Sequence, residues 1–137
     1  MADRPLLIVD GANVVGSVPD GWWRDRHGAA ERLRDALVPL AAAGLRAGAG
    51  APPWAVGTPL DIVLVVEGAA RGVSPVPGVR VESAPAAGDD LITALATTSR
   101  TDSPDRPCLV ITADRELRGR VAASGAECAG PRTVRPR

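Results

Sequence analysis

The hydrophobic and polar positions of the chain form two alternating patterns. Continuous apolar runs closed by acidic residues or glycines are typical of strands that are covered on both faces of a sheet. Such runs occupy residues 5–10, 61–68 and 108–114, and a shorter one occupies residues 126–130. Residues 79–83 alternate between apolar and polar side chains, which predicts a strand near an edge of the sheet.

Between these runs, apolar residues recur every three or four positions, a spacing that is typical of amphipathic helices. This spacing predicts helices at about residues 22–45, 88–99 and 115–124. Strands that alternate with helices in this way indicate an α/β fold. We therefore expect a mostly parallel sheet with right-handed crossovers and with helices on both of its faces.

The length of 137 residues suits a single domain, which we place at residues 1–130. Residues 46–59 are rich in glycine and proline, and they predict a flexible connection inside that domain. Residues 131–137 are basic, and we expect them to form a disordered tail.

Charge narrows the range of functions. The basic residues, 16 in number, are all arginines, and they balance 16 acidic residues, so the formal net charge is zero. Any nucleic acid must therefore be bound by local arginines, because the chain lacks a broad basic field. The absence of lysine argues against a receiver domain and against a P-loop nucleotide-binding protein.

Two further classes fit the sequence poorly. A haloacid-dehalogenase-like phosphatase needs a second acid two residues after the first, where Ala12 stands. Gly48 and Gly50 follow a predicted helix instead of a strand, so they make a poor dinucleotide-binding loop.

The two cysteines, Cys108 and Cys128, lie singly in apolar segments, and we expect buried thiols there instead of a disulfide or a zinc site. The sequence shows no signal-peptide pattern and no apolar run that approaches about 18 residues. We therefore expect no membrane contact and a cytoplasmic location.

Acidic residues recur at one predicted edge of the sheet. Asp10, Glu67 and Asp114 end predicted strands, and Asp89 and Asp90 begin a predicted helix. The carboxyl ends of parallel strands lie along one edge, so these side chains should converge. Like charges in a desolvated site are costly unless a cation bridges them or one binds a proton, and oxygen ligands favour Mg²⁺ or Mn²⁺.

Four of these five acids also have a purely structural interpretation. Asp10 could form only a turn, Glu67 could be solvated, and Asp89 or Asp114 could cap a helix. Asp89 and Asp90 point about 100° apart on a helix, so we expect one of them to bind an ion directly and the other to act through water or as a cap.

Two polar residues accompany the acids. Asn13 could orient a ligand carboxylate or contact a phosphate, or it could satisfy the backbone of its own turn. Thr112 could hydrogen-bond a ligand carboxylate, or it could be an ordinary strand residue. A metal ion held here would suit phosphodiester hydrolysis, because it lowers the pKa of a bound water and neutralises charge on phosphate oxygens.

The combination of these motifs resembles a known family. The stretches "LLIVDGANVVGS", "PDGWWRDR", "GDDLI" and "VITADRELRGRV" are similar to those of NYN-domain nucleases, especially the YacP-like branch of the PIN-like superfamily. The likeness runs from residue 6 to about residue 128, leaving residues 46–59 aside. The resemblance implies a three-layer α/β/α PIN-like domain that cleaves RNA endonucleolytically with Mg²⁺ or Mn²⁺.

The resemblance also assigns residues. The family's metal-binding and catalytic positions correspond here to Asp10, Asn13, Asp89, Asp90 and Asp114. The family commonly has aspartate at the end of the second strand, where this chain has the longer Glu67. Whether Glu67 is a ligand therefore stays open.

Substrate contacts can be suggested near the first loop. Trp22 and Trp23 follow a Pro-Asp-Gly turn and could stack on unpaired bases, although one or both could belong to the core. Four arginines near the same edge could hold phosphates, or could simply cover solvated helix faces; they are Arg24, Arg26, Arg115 and Arg118.

The favoured hypothesis from the sequence is thus a metal-dependent endoribonuclease, a hydrolase whose partner is RNA. The alternative is a catalytically weakened PIN-like module that binds RNA or a protein, which Glu67 and the neutral charge favour. A homo-oligomer or a larger RNA–protein assembly is compatible with the sequence, which does not determine the oligomeric state.

Overall fold

The structure is a computed structural model and describes residues 4–135. Its centre is a sheet of five parallel strands: β1 (Leu6–Asp10), β2 (Asp61–Val66), β3 (Val79–Ser83), β4 (Cys108–Ile111) and β5 (Glu127–Ala129). Their order across the sheet is β3-β2-β1-β4-β5. The first strand of the chain is therefore the central one, and Leu6 lies opposite both Asp61 and Cys108.

The helices are α1 (Gly11–Val15), α2 (Arg26–Ala43), α3 (Gly88–Asp102) and α4 (Arg115–Ala122). Short 3₁₀ turns are formed by Trp22–Arg24, Pro53–Ala55, Gly68–Ala70 and Pro131–Thr133. The long helix α2 begins at Arg26, later than the sequence predicted, because the carboxylate of Asp25 accepts the Gly28 N–H at 2.9 Å and caps it.

The alternation of side chains along β1 separates two apolar layers. Leu7 and Val9 pack in one cluster with α2 residues such as Leu37, whereas Leu6 and Ile8 pack in another with residues of α3 and α4. The described residues thus form a three-layer α/β/α fold, which confirms the prediction. The sheet was expected to be mostly parallel, and all of its strand pairs are parallel. Both faces of β1 are covered, which explains its unbroken apolar run.

The first part of the expected disordered tail, residues 131–135, is packed against the domain. Within residues 131–135, Thr133 and Val134 are buried, and the Arg135 guanidinium contacts Asp20 and donates to the carbonyls of Val14 and Val15. This segment therefore packs on the end of α1, because Val134 is buried there and Arg135 pairs with Asp20. Residues 136 and 137 of the expected tail lie outside the described residues.

The connection at residues 46–59 is also more fixed than its glycines and prolines indicated. The Leu45 N–H donates to the carbonyl of Ala55, which is buried, and the indole N–H of Trp54 donates to Glu127 at 2.6 Å. Within the described part of the chain, no helix is long and apolar enough to cross a membrane.

The two cysteines are free thiols, as the sequence predicted. Cys108 lies in the core and Cys128 is half-buried. Burial raises the pKa of the Cys108 thiol to about 11, although Arg100 and Arg106 act in the opposite direction. Cys108 is therefore a protonated packing residue at neutral pH.

Gly11 gives a test of how closely α1 approaches the sheet. A Cβ atom at Gly11 would lie 2.5 Å from the carbonyl oxygen of Val65, so Gly11→Ala requires a backbone shift. We expect it to lower the free energy of unfolding by about 1–3 kcal/mol in urea denaturation. The matched control is Gly119→Ala in α4, where a Cβ would meet no atom within 4 Å. We expect this variant to raise the free energy of unfolding by about 0.5–1 kcal/mol. Equal stabilities of the two variants would contradict this packing.

Candidate functional site

The carboxylate of Asp10 lies at the carboxyl end of the central strand. Asp10 is buried, with 5 % of its surface exposed. Its Oδ2 accepts a hydrogen bond from the Thr112 hydroxyl at 2.9 Å, and its Oδ1 accepts a longer one from the Asn13 N–H at 3.4 Å. Alternation along β1 places the side chain on the same face as Ile8, which is the face covered by α3 and α4.

This environment disfavours a negative charge on Asp10. Burial raises the pKa of its carboxyl group above the ordinary value, and the charges of Asp89 and Glu67 raise it further, while the hydrogen bonds from Thr112 and Asn13 lower it. Within residues 4–135, no arginine forms an ion pair with Asp10. The carboxyl edge of the sheet therefore has a concentration of negative charge around one poorly solvated acid.

Side-chain hydrogen bonds connect the two segments that flank Asp10, which are α1 and the loop after β4. The Oδ1 atom of Asn13 accepts the Ala113 N–H at 2.8 Å, across from α1 to the loop after β4. Thr112 Oγ1 accepts the Asp114 N–H at 3.1 Å while it donates to Asp10. Asn13 thus satisfies the backbone of a neighbouring loop instead of its own turn, and Thr112 orients the central carboxylate.

Two of the other predicted acids hold the starts of helices. Asp114 Oδ1 accepts the N–H groups of Glu116 and Leu117 at 2.9 and 3.1 Å, which caps α4. Glu67 Oε2 accepts the Gly88 N–H at 2.9 Å and so anchors α3. The capping role was one of the interpretations open for Asp114, whereas the bond from Glu67 to a residue 21 positions away was not foreseen.

The adjacent acids of α3 differ in position. Asp89 is half-buried, and its charge acts on Asp10. Asp90 is exposed, and its Oδ1 accepts a hydrogen bond from Arg120 at 2.9 Å in a surface ion pair. Of the two, Asp89 is therefore the one associated with the central carboxylate.

The backbone brings all five predicted acids to one region of the sheet edge, but their side chains do not all converge. Among the residues that the structure describes, no three acidic, histidine or cysteine side chains are grouped so that they could hold a metal ion. A Mg²⁺ or Mn²⁺ ion at this edge stays a prediction, for which the carboxylate oxygens of Asp10 and Asp89 are chemically suited.

A cleft of about 270 Å³ opens beside Gly11. Its walls come from α1, from the segment around Trp22 and Arg26, and from the residues that follow β2; the lining residues include Gly11, Ala12, Val15, Trp22, Arg26 and Glu67. Trp22 is partly buried against the core, while Trp23 is 50 % exposed. The adjacent tryptophans are thus divided between a cleft wall and the open surface.

The four candidate arginines differ in their contacts. The Arg26 guanidinium lies 5.4 Å from the centre of the Trp22 ring, and that of Arg24 lies 5.9 Å from the centre of the Trp23 ring. Arg115 is exposed at the start of α4. Arg118 is half-buried and donates from Nε to the Thr112 carbonyl at 2.8 Å, so it supports the site loop instead of facing solvent.

The fold and this edge define a class: an α/β/α domain with a parallel sheet whose central strand ends in a buried acid. Neither a protein-family model nor a curated protein sequence matches the chain. Among solved structures, it is similar to Rae1 (YacP) from Bacillus subtilis, crystallised as a W164L mutant, with a TM-score of 0.65 and 19 % sequence identity. The match covers 95 % of this chain and 72 % of the other, and it supports a YacP-like fold.

Thr112 gives a test of how the central carboxylate is held. In Thr112→Val, Asp10 loses a hydrogen-bond donor and the Asp114 N–H loses its acceptor, while the buried volume stays nearly constant. We expect the free energy of unfolding to fall by about 1–3 kcal/mol at neutral pH. Thr112→Ser keeps the hydroxyl and should preserve the pKa of Asp10, measured by carboxyl-specific NMR titration, whereas Thr112→Val should raise it. An unchanged pKa in Thr112→Val would show that the bond does not form.

The raised pKa of Asp10 predicts a pH dependence of stability. Because the folded-state pKa lies above the unfolded one, the stability that Asp10 contributes is fully present below the unfolded value and is lost as pH rises through the folded value. The variant Asp10→Asn does not lose stability in this way, because the asparagine side chain does not ionise. The stability of the wild type relative to Asp10→Asn, measured in EDTA by thermal unfolding, should therefore decrease from about pH 4 upwards. A relative stability that increases with pH would contradict the burial argument.

Proposed function

We propose that the protein is a metal-dependent endoribonuclease that hydrolyses RNA phosphodiester bonds at the carboxyl edge of its sheet. The observation that carries the proposal is the buried Asp10, which has a raised pKa, two neighbouring acids and no ion pair with an arginine among the described residues. The likeness of the sequence motifs to NYN-domain nucleases and the structural similarity to Rae1 (YacP) support the same class.

A divalent cation would remove the electrostatic problem at this edge. A desolvated carboxylate beside two further acids is costly unless a proton or a cation offsets the charge. Mg²⁺ is commonly held by only one or two carboxylates and keeps several water ligands, so a site need not contain three acids. We expect Asp10 and Asp89 to hold Mg²⁺ or Mn²⁺, which when bound would activate a water and neutralise charge on the phosphate.

The remaining residues would position the groups at the carboxyl edge of the sheet that contact RNA. Thr112 would fix the orientation of the Asp10 carboxylate through its hydroxyl. Asn13 would keep α1 and the loop after β4 at a constant separation through its bond to Ala113, so that a phosphate meets the same geometry in each molecule. Asp114 and Glu67 would act indirectly, by holding the starts of α4 and α3 in place.

A second candidate function is an RNA- or protein-binding module of the same fold without catalysis. Its support is the lack, among residues 4–135, of three side chains grouped for a metal ion, together with the use of Asp114 and Glu67 as helix caps. A binder would retain intact RNA with saturation, whereas a nuclease would release shortened products.

The neighbouring acids of α3 allow a sharp test. We expect single-stranded RNA to be cut internally only when Mg²⁺ or Mn²⁺ is present. The variants Asp10→Asn and Asp89→Asn should lower the single-turnover rate by more than about 100-fold, since they remove the carboxylates that would hold the ion, whereas Asp90→Asn should stay within about tenfold of the wild type. The measurement is product length and rate on a denaturing gel.

Asp90→Asn is a matched control, because it changes the same residue type one position along the same helix and disturbs only an ion pair with Arg120 at the surface. Circular dichroism and thermal unfolding would establish that all three variants fold. Cleavage that continues in excess EDTA would contradict the metal-dependent mechanism. Intact RNA under all metal conditions would favour the binding module.

A further inference from the structure

The cleft beside Gly11 is next to the proposed reaction centre, but none of the acids of α3 lines it. It lies between α1 and the segment after β2, and its floor includes Val15, Ala30 and Val66. Trp22 and Arg26 form one wall, with the guanidinium held 5.4 Å from the centre of the indole ring. Glu67, the residue that follows β2, also lines this cleft. An apolar floor, a flat aromatic and cationic wall and one charged acceptor are thus brought together.

These features fit a flat, aromatic molecule with hydrogen-bond donors. An unstacked nucleobase can stack on an indole or on a guanidinium plane, and single-stranded RNA is recognised in this way. The volume of about 270 Å³ is at the small end of ligand pockets, which suits one base and not a stacked pair. The position beside Gly11 would place the sugar and phosphate of that nucleotide towards Asp10.

Glu67 restricts which base would fit. Its Oε2 is engaged by the Gly88 N–H, whereas its Oε1 has no hydrogen-bond partner in residues 4–135. An ionised carboxylate only accepts hydrogen bonds, so it favours a base edge that donates. Guanine offers two adjacent donors, N1–H and the 2-amino group, whereas the other three bases place an acceptor beside each donor.

We propose that this cleft binds one unstacked guanine of the RNA, with Trp22 and Arg26 against the ring and Glu67 accepting from its Watson–Crick edge. The inference rests on RNA being the substrate, and it assigns to Glu67 a role in base selection, in addition to anchoring α3. It also separates Trp22 and Arg26, which face the cleft, from Trp23 and Arg24, which contact each other outside it.

Binding can be measured without cleavage. The full-length Asp10→Asn variant in EDTA would be titrated into fluorescently labelled six-nucleotide oligouridylates that carry guanine, adenine, cytosine or uracil at the fourth position. Fluorescence anisotropy should give a dissociation constant about tenfold lower for the guanine oligonucleotide than for the others. In the same background, Glu67→Gln should abolish this preference, because the amide can still accept the Gly88 N–H but presents a donor to the base.

The chain offers matched controls for the cleft. Ala12 is exposed and lines the cleft, so Ala12→Leu should fill it without disturbing the core and should weaken binding of the guanine oligonucleotide about tenfold. Trp22→Ala should have a similar effect, and Trp23→Ala should leave the preference for guanine unchanged. If Trp22→Ala fails to fold, Ala12→Leu still tests the cleft.

Each outcome decides the proposal. A guanine preference that is lost in Glu67→Gln and Ala12→Leu but kept in Trp23→Ala supports it. Equal binding of the four oligonucleotides, no binding at all, or equal losses in the Trp22 and Trp23 variants would overturn it. Because the assay contains neither the Asp10 carboxylate nor a metal ion, a failure of guanine binding is distinguishable from a failure of metal-dependent cleavage, which the RNA cleavage assay measures separately.

Discussion

The burial of one carboxylate at the end of the central strand constrains the whole carboxyl edge of this protein. Asp10 follows four core residues on β1, and its side chain, on the face covered by α3 and α4, has little access to water. Water would stabilise the charge of an exposed acid, but here that role falls to the hydroxyl of Thr112 and the backbone of Asn13. Asn13 lies in α1 and Thr112 lies in the loop after β4, and side-chain hydrogen bonds of both residues hold these two segments in place. The charge of Asp10 and the geometry of the two segments are therefore coupled.

In the proposed function, the carboxylate charge that would serve catalysis also lowers the stability of the fold. A buried acid without an ion pair lowers the free energy of unfolding when it is ionised, and Asp89 and Glu67 increase the effect. Unfavourable burial of a charged group is typical of functional sites, and this is why it supports the proposed one. Two other acids at this edge stabilise the starts of helices: Asp114 caps α4, and Glu67 accepts the N–H of Gly88 at the start of α3.

The sequence predicts the features that depend on local pattern and not those that depend on long-range pairs. The strand that ends in Asp10 was predictable because both of its faces are buried and its apolar run is unbroken. The bond from Glu67 to Gly88 was not predictable, since it requires knowing how β2 and α3 are placed. The same holds for Arg135, which looked like part of a charged tail but contacts Asp20 and the end of α1 across more than a hundred residues.

In the proposed function, one face of the sheet would contact the phosphate and the other would contact the base. Alternation along β1 places Asp10 on the side of α3, where Asp89 lies, whereas the cleft opens on the side of α1 and α2. A nucleotide that spans both must cross the backbone at Gly11, where the absence of a side chain lets α1 pack directly against Val65 of β2. With no net charge to attract RNA from a distance, recognition would depend on this short path over the central strand, with a base held on one side and a phosphate on the other.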